Sequence, residues 1–345
     1  MNKESGDTMS ELVKVALDGM GGDNAPFEIV KGAVEAVNES NKLKVYITGT
    51  EELINAELSK YTYDKERIEV VPTTEVIAMA EPPVMAIRKK KDSSLVKAMN
   101  LVKEGICDGL VSAGSTGATL VGGQLIVGRI KGVDRAPLAP LIPTVNGTSL
   151  LIDCGANVDA RSNHLLQFAK MGSVYMESIM GVKNPKVGIV NIGAEEEKGN
   201  ALVKETFPLL KNCPDINFIG SVEARDIPYG MADVVVCEAF TGNVILKMYE
   251  GVGGALISKV KESMMSSLKT KIGALLIKKS LKETLKAFQT EEYGGAPMLG
   301  LNGLVVKTHG SSKSKEIKNS ILQCISFKEQ NINKKIKDKI SLDEN

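Results

Sequence analysis

Short runs of valine, isoleucine and leucine recur along most of this chain, each ending in a loop of glycine and hydroxyl, amide or acidic residues and most passing into a helical pattern. That repeated unit limits the fold more than any other feature. Runs that stay apolar at successive positions, instead of alternating, suit strands buried on both faces. Strand, loop and helix in repetition predict an α/β fold with a mostly parallel sheet and helices on both faces. In such sheets ligands sit beyond the carboxyl ends of the strands, where these loops fall.

The first run, Leu12–Leu17, leads into DGMGGDNAP (18–26) and a helix through Ile29, Val30, Ala33 and Val37. Gly19, Gly21 and Gly22 let the backbone turn tightly and approach a ligand. The loop is not a dinucleotide fingerprint: Asn24 stands at its last glycine position, and the next strand ends at Gly49 without a ribose-binding acid. SAGSTGA (112–118) follows a short strand at Leu110–Val111 and precedes an apolar helix, Thr119–Val127, with Ser115 and Thr116 placed as caps or anion donors. Leu138–Thr144 and Ser149–Ile152 are expected to pair around Asn146-Gly147. DCGANVDAR (153–161), IGAEEEKGN (192–200) and SVEARDI (221–227) close three further strands. After Asp233–Cys237 the loop Thr241-Gly242-Asn243 precedes apolar residues at helical spacing, Val244, Ile245, Met248, Val252 and Leu256. The unpaired N–H groups and positive dipole end of such a helix make an anion site.

Composition narrows the function. Lys+Arg 43 against Asp+Glu 42 leaves a net charge of +1 and no global signal for nucleic acid. Aromatics at 4%, with no Trp, argue against base-stacking platforms and carbohydrate sites. Five scattered cysteines without a CxxC read as reduced thiols, and no compact ligand cluster calls for a metal. No apolar run reaches the ~18–20 residues of a membrane span, and MNKESGDTMSE lacks a signal peptide's apolar core, so a cytoplasmic location is expected.

DGMGGDNAP, SAGSTGA, DCGANVD with HLLQFAKMGSVYM, NPKVGIVNIGAEEEKGN, CEAFTGNVILKMYEG and YGGAPMLGLNGLVVKTHGSS stand in this order. Together they resemble the bacterial phosphate acyltransferase (PlsX-type) family, from about Val13 to about Ile325. Gly19, Ser115 and Glu238-Ala239 depart mildly from its pattern. The resemblance implies a fold similar to the phosphotransacetylases and the isocitrate and isopropylmalate dehydrogenases. It implies transfer of a fatty acyl group from acyl-acyl carrier protein to inorganic phosphate, giving acyl phosphate for phospholipid synthesis, in a homodimer and with no cofactor. Competing readings are a phosphotransacetylase-like enzyme using acyl-CoA, a nicotinamide-dependent dehydrogenase on a similar fold, and a non-catalytic lipid or carrier-protein scaffold.

Phosphate is already a nucleophile, so such chemistry needs positioning and oxyanion stabilisation rather than a covalent intermediate. Candidate phosphate or substrate contacts are Gly21, Gly22, Asp23, Asn24, Ser115, Thr116, Gly117, Asn157, Thr241 and Gly242, with Asn243 in the same loop. Lys198, Arg225, Lys247 and His309 are the candidate cations; His309, in KTHGSS, is placed to protonate the leaving thiolate, while His164 reads as a structural or capping residue. Asp18, Asp159 and Asp226 are expected to orient loops, because carboxylates repel phosphate. Gly294 and Gly295 open YGGAPMLGLN, an acyl-chain groove or a packed turn.

Residues 12–327 are expected to form one catalytic domain, with 1–11 and 328–345 as flexible tails. Within it, 251–288 should be a helical hairpin turning near Thr270–Gly273, packed on the core or on a second subunit. Lys271, Lys278 and Lys279 with Leu275 and Leu276 would let its tip touch an acidic carrier protein or anionic lipid, directly or through the downstream glycerol-phosphate acyltransferase.

Overall fold

The computed structural model describes residues 12–286 and 293–341. The expected tail at 1–11 and the end of the hairpin at Phe288 lie outside the described residues. In chain order the elements are β1 (Val13–Asp18), α1 (Phe27–Glu39), β2 (Leu43–Gly49), α2 (Glu51–Leu58), β3 (Ile68–Pro72), α3 (Pro83–Lys89), α4 (Ser94–Lys103), β4 (Gly109–Ser112) and α5 (Thr116–Gly122). Then follow β5 (Leu141–Thr144), β6 (Gly147–Ile152), α6 (Ser162–Ser178), β7 (Lys186–Asn191), α7 (Ala201–Lys211), β8 (Asn217–Glu223), β9 (Val234–Val236), α8 (Ala239–Met264) and α9 (Leu268–Lys286). The chain closes with β10 (Ala296–Met298), β11 (Leu304–Lys307), α10 (Ser314–Glu329) and α11 (Ile332–Ser341).

These elements form two compact units. The first comprises 12–128, 293–295 and 301–331. Its strands lie in the order β11-β4-β1-β2-β3, every neighbouring pair parallel. All four residues of β4 and of β11 are buried, as strands covered on both faces must be. Helices α1 and α10 pack closely: a Cβ on Gly32 would lie 2.7 Å from the Ile317 Cβ. The order reverses between β1 and β4, a topological switch point.

The second unit comprises 129–286, 296–300 and 332–341. Its sheet runs β5-β6-β9-β7-β8, parallel except for the β5–β6 hairpin at Asn146-Gly147. A core of Ile142, Leu151, Cys154, Val222, Ile227, Ala232, Val235 and Cys237 fills one side. Helix α8 is continuous over 26 residues, so the hairpin turns at 265–267 and not near Thr270–Gly273. Reciprocal bonds explain the earlier turn: the Ser267 N–H donates to Thr270 Oγ1 at 3.0 Å, and the Thr270 N–H to Ser267 Oγ at 3.2 Å.

Residues 328–341 of the Lys- and Asn-rich segment are ordered, where composition suggested a flexible tail, and 342–345 lie outside the described residues. Ile332, Ile336 and Ile340 recur at helical spacing and are buried on α11, which packs on α6. Truncating Ile336 to Ala should cost about 2–5 kcal/mol, the usual range for a buried isoleucine. Urea unfolding measures this, and unchanged stability would return the segment to a dispensable tail.

Candidate active site

In the first unit four polar side chains stand at one level across neighbouring strands. Thr48 is paired in register with Asp18, and Ser112 with Lys307, at the carboxyl ends of β2, β1, β4 and β11. In-register residues of parallel strands share a face. Ser112 Oγ donates to Asp18 Oδ2 at 2.7 Å and accepts from the Gly114 N–H at 3.0 Å. That bond spans the switch point between β1 and β4.

Asp18 is 2% exposed, and burial raises its pKa, opposed by hydrogen bonds from Ser94, Ser112 and the Met20 backbone and by the charge of Lys307. Its Oδ1 is buried without a hydrogen-bond partner. Lys307 is 6% exposed; its ammonium donates to the Thr308 carbonyl, and burial lowers its pKa to about 8. The sequence signal for this lysine is a charged residue ending the apolar run LVV, and it is absent from the candidate cations above.

Three loops interlock above this row. A Cβ on Gly21 would meet Asp18 Oδ2 at 2.3 Å and the Gly114 N at 2.8 Å, so glycine is required where the first loop crosses SAGSTGA. The Asp23 N–H donates to the Gly310 carbonyl at 2.8 Å, and Asn24 Nδ2 to the Ser311 carbonyl at 3.0 Å. The Thr308 N–H donates to the Ser112 carbonyl at 3.0 Å. Ser115 caps α5, accepting from Ala118. The N–H groups of Thr116 and Gly117, at the start of that helix, have no acceptor among the described residues. His309 is exposed, with Nδ1 accepting from the Ser311 N–H at 3.2 Å and 2.7 Å from Ser311 Oγ. The neutral ring then carries its proton on Nε2. The first unit therefore assembles Asp18, Gly21, Gly22, Asp23, Asn24, Ser115, Thr116, Gly117 and His309. Gly294 and Gly295 instead line α10, where the Gly295 N–H donates to Ser320 Oγ at 2.8 Å.

The second unit gathers its polar groups at the ends of β6 and β9. Asp153 accepts from the N–H groups of Leu138, Ala156 and Asn157 and from Asn157 Nδ2. Asn157 Nδ2 also reaches the Ala136 carbonyl, so this side chain holds its own loop. Helix α8 starts at Ala239, which places Thr241, Gly242 and Asn243 inside its first turns rather than before it. Its leading N–H groups are all engaged: Ala239 with Asn157, Phe240 and Thr241 with the Glu238 carboxylate, and Gly242 with the Glu238 carbonyl. A protein carboxylate thus occupies the place an anion would take. His164 Nδ1 accepts from the Arg161 N–H at 3.1 Å, the capping role expected of it. Lys198 pairs with Glu195 at 2.7 Å and Arg225 with Glu223 at 3.0 Å, while Asp159 and Lys247 are exposed and Asp226 half-buried. Lys271, Leu275, Leu276, Lys278 and Lys279 are all exposed on α9.

The fold of this parallel α/β chain is similar to that of solved phosphotransacetylases. It superposes on a phosphotransacetylase from Streptococcus pyogenes with a TM-score of 0.61 at 18% identity, covering 92% of this chain and 94% of that one. The EutD phosphotransacetylase from Staphylococcus aureus gives a TM-score of 0.58 at 18% identity, covering 91% and 94%. At this identity the likeness shows the fold. The sequence goes further. A family model described as "Fatty acid synthesis protein" matches residues 13–335. Phosphate acyltransferase from Clostridium novyi is 52% identical over 328 residues, covering 95% of this chain and 98% of that protein. Phosphate acyltransferase from Clostridium tetani is 53% identical over 328 residues with the same coverage. The chain belongs to this family of phosphate acyltransferases.

Burial of Asp18 has a consequence for stability. Its folded-state pKa is raised, so the folded chain holds the proton more tightly than the unfolded one. The folded state is then favoured at low pH and loses that advantage as pH rises through the raised value. Asp18→Asn removes the buried charge and should unfold at higher temperature than the wild type at pH 8. The difference should close as both states of Asp18 become protonated near pH 3–4. Thermal unfolding at both pH values checks this, and a gap independent of pH would contradict it.

Proposed function

We propose that this chain transfers a fatty acyl group from the thioester of an acyl carrier protein to inorganic phosphate. A phosphate oxygen attacks the carbonyl carbon, the C–S bond breaks, and acyl phosphate and free carrier thiol result. The proton lost by hydrogen phosphate balances the one gained by the thiolate. Family membership over 95% of the chain carries this reading. The loop geometry supports it, since the free N–H groups of Thr116 and Gly117 and the exposed His309 lie on the first unit's loops beyond one end of its sheet.

In this reading the first unit's loops hold phosphate, and His309 Nε2–H serves the oxyanion or the departing thiolate. Asp18 and Asn157 shape their loops. Lys198, Arg225, Asp226, Asp159, Asn243 and Lys247 belong to the second unit, the first two in ion pairs with Glu195 and Glu223, and Gly294 and Gly295 pack against α10. Replacing His309 with Ala should lower turnover about 100-fold or more while far-UV circular dichroism stays unchanged. Wild-type turnover in the folded variant would remove His309 from the mechanism.

The long helices support the choice of partners. On α8, Phe240, Val244, Met248, Val252, Leu256 and Val260 form an apolar stripe that winds along the helix, each at least 39% exposed. Exposed apolar surface of that extent marks an interface, here with a second copy of the chain. Leu275 and Leu276 at 70% and 80% exposure, beside Lys271, Lys278 and Lys279, suit an acidic carrier or the surface of an anionic membrane. No helix of the described residues is long and apolar enough to cross a membrane.

Phosphate-dependent thiol release from palmitoyl-carrier protein and from palmitoyl-CoA, run in parallel, tests the donor. Release from the carrier is expected, and release from CoA alone would favour a phosphotransacetylase-like enzyme. Charge reversal at Lys278 and Lys279 should weaken carrier binding, most at low salt. Unchanged binding would leave those lysines a solvated face only.

A further inference from the structure

We propose that Lys307 is the buried cation that binds the phosphate substrate in the first unit, its charge fixed beneath the loops that follow β1, β4 and β11. The inference rests on the phosphate reading above and names a residue for it. Lys307 is 6% exposed and makes no ion pair within 4.0 Å among the described residues. A buried ammonium without a contact counter-ion is costly, and it attracts an anion from solution. Among the described residues the ammonium's one hydrogen bond is to the carbonyl of the next residue, Thr308, at the carboxyl end of β11. Thr308 is in turn tied to Ser112, the start of SAGSTGA, whose residues Thr116 and Gly117 offer unpaired N–H groups.

The charged groups that face Lys307 are few. Asp18 comes from β1, Asp23 from the loop after it and Glu316 from α10; His309 stands two residues on. The three carboxylates raise the lysine's pKa, and burial outweighs them, leaving a value of about 8. The cation is therefore present below about pH 8 and lost above it. Above that value, phosphate must bring a proton onto Lys307 as it binds. Its affinity should fall towards tenfold per pH unit.

Calorimetric titration of inorganic phosphate into the full chain at pH 7.5, 8.5 and 9.5, without an acyl donor, reads this directly. The wild type should show progressive weakening of the phosphate Kd. Lys307→Arg keeps its charge throughout, so its Kd should be flatter over the same range. Lys307→Met should bind at least tenfold more weakly at pH 7.5 and lose the step, with any remaining slope belonging to Asp18. Circular dichroism confirms folding, and the Met variant serves if arginine does not fit. A Met variant with the wild type's affinity and slope overturns the proposal. So does a wild-type Kd that does not change with pH. Absence of phosphate-dependent thiol release in the wild type, with this binding pattern intact, would overturn the acyl-transfer reading alone.

Discussion

The hydrogen bond from Ser112 to Asp18 joins residues 94 apart in sequence, where the strand order reverses between β1 and β4. Much of the first unit's site depends on it. With Asp18 held, Gly21 can cross against Gly114, and SAGSTGA can take the shape that begins α5. Ser112 sits in register with Lys307, so the same residue ties the acidic and basic ends of the row to one level of the sheet. A buried carboxylate and a buried ammonium in one row each carry a desolvation penalty, and their pKa shifts run in the directions that penalty dictates.

The second unit uses its polar residues differently. Asp153 collects three backbone N–H groups and the Asn157 amide, and Glu238 closes the start of α8. These are loop-holding arrangements. They keep the strand ends rigid and leave Asn243 in the first turns of α8, in the half-buried layer. A Cβ on Gly242 would meet the Asp153 carbonyl oxygen at 1.9 Å, which is how closely α8 packs on the end of β6. The long apolar stripe of α8 is then carried outward on a firm base.

Much of this was legible in the residues. Continuous apolar runs marked the parallel strands, Asn146-Gly147 marked the hairpin, and the loop motifs in sequence pointed to the family. The misread pieces share one physical origin. Glu238, a departure from the family pattern, caps α8 through bonds from the N–H groups two and three residues on, and a cap is recognised by geometry. Composition made the segment after 328 look loose, although three isoleucines at helical spacing were enough to bury one face on α6. Nothing local in LVVK marks Lys307 as buried.

The sequence by itself determined the elements, because apolar periodicity, glycine loops and caps act over a few residues. It also determined the family, because motifs in order are a property of the chain. Only the tertiary structure decided which loops meet. Asn24 and Ser311 are 287 residues apart, and no local preference relates them. Their meeting follows from strand order, which is set by packing the whole core. The same packing buries Lys307 and Asp18, and that burial shifts the pKa of each away from its ordinary value.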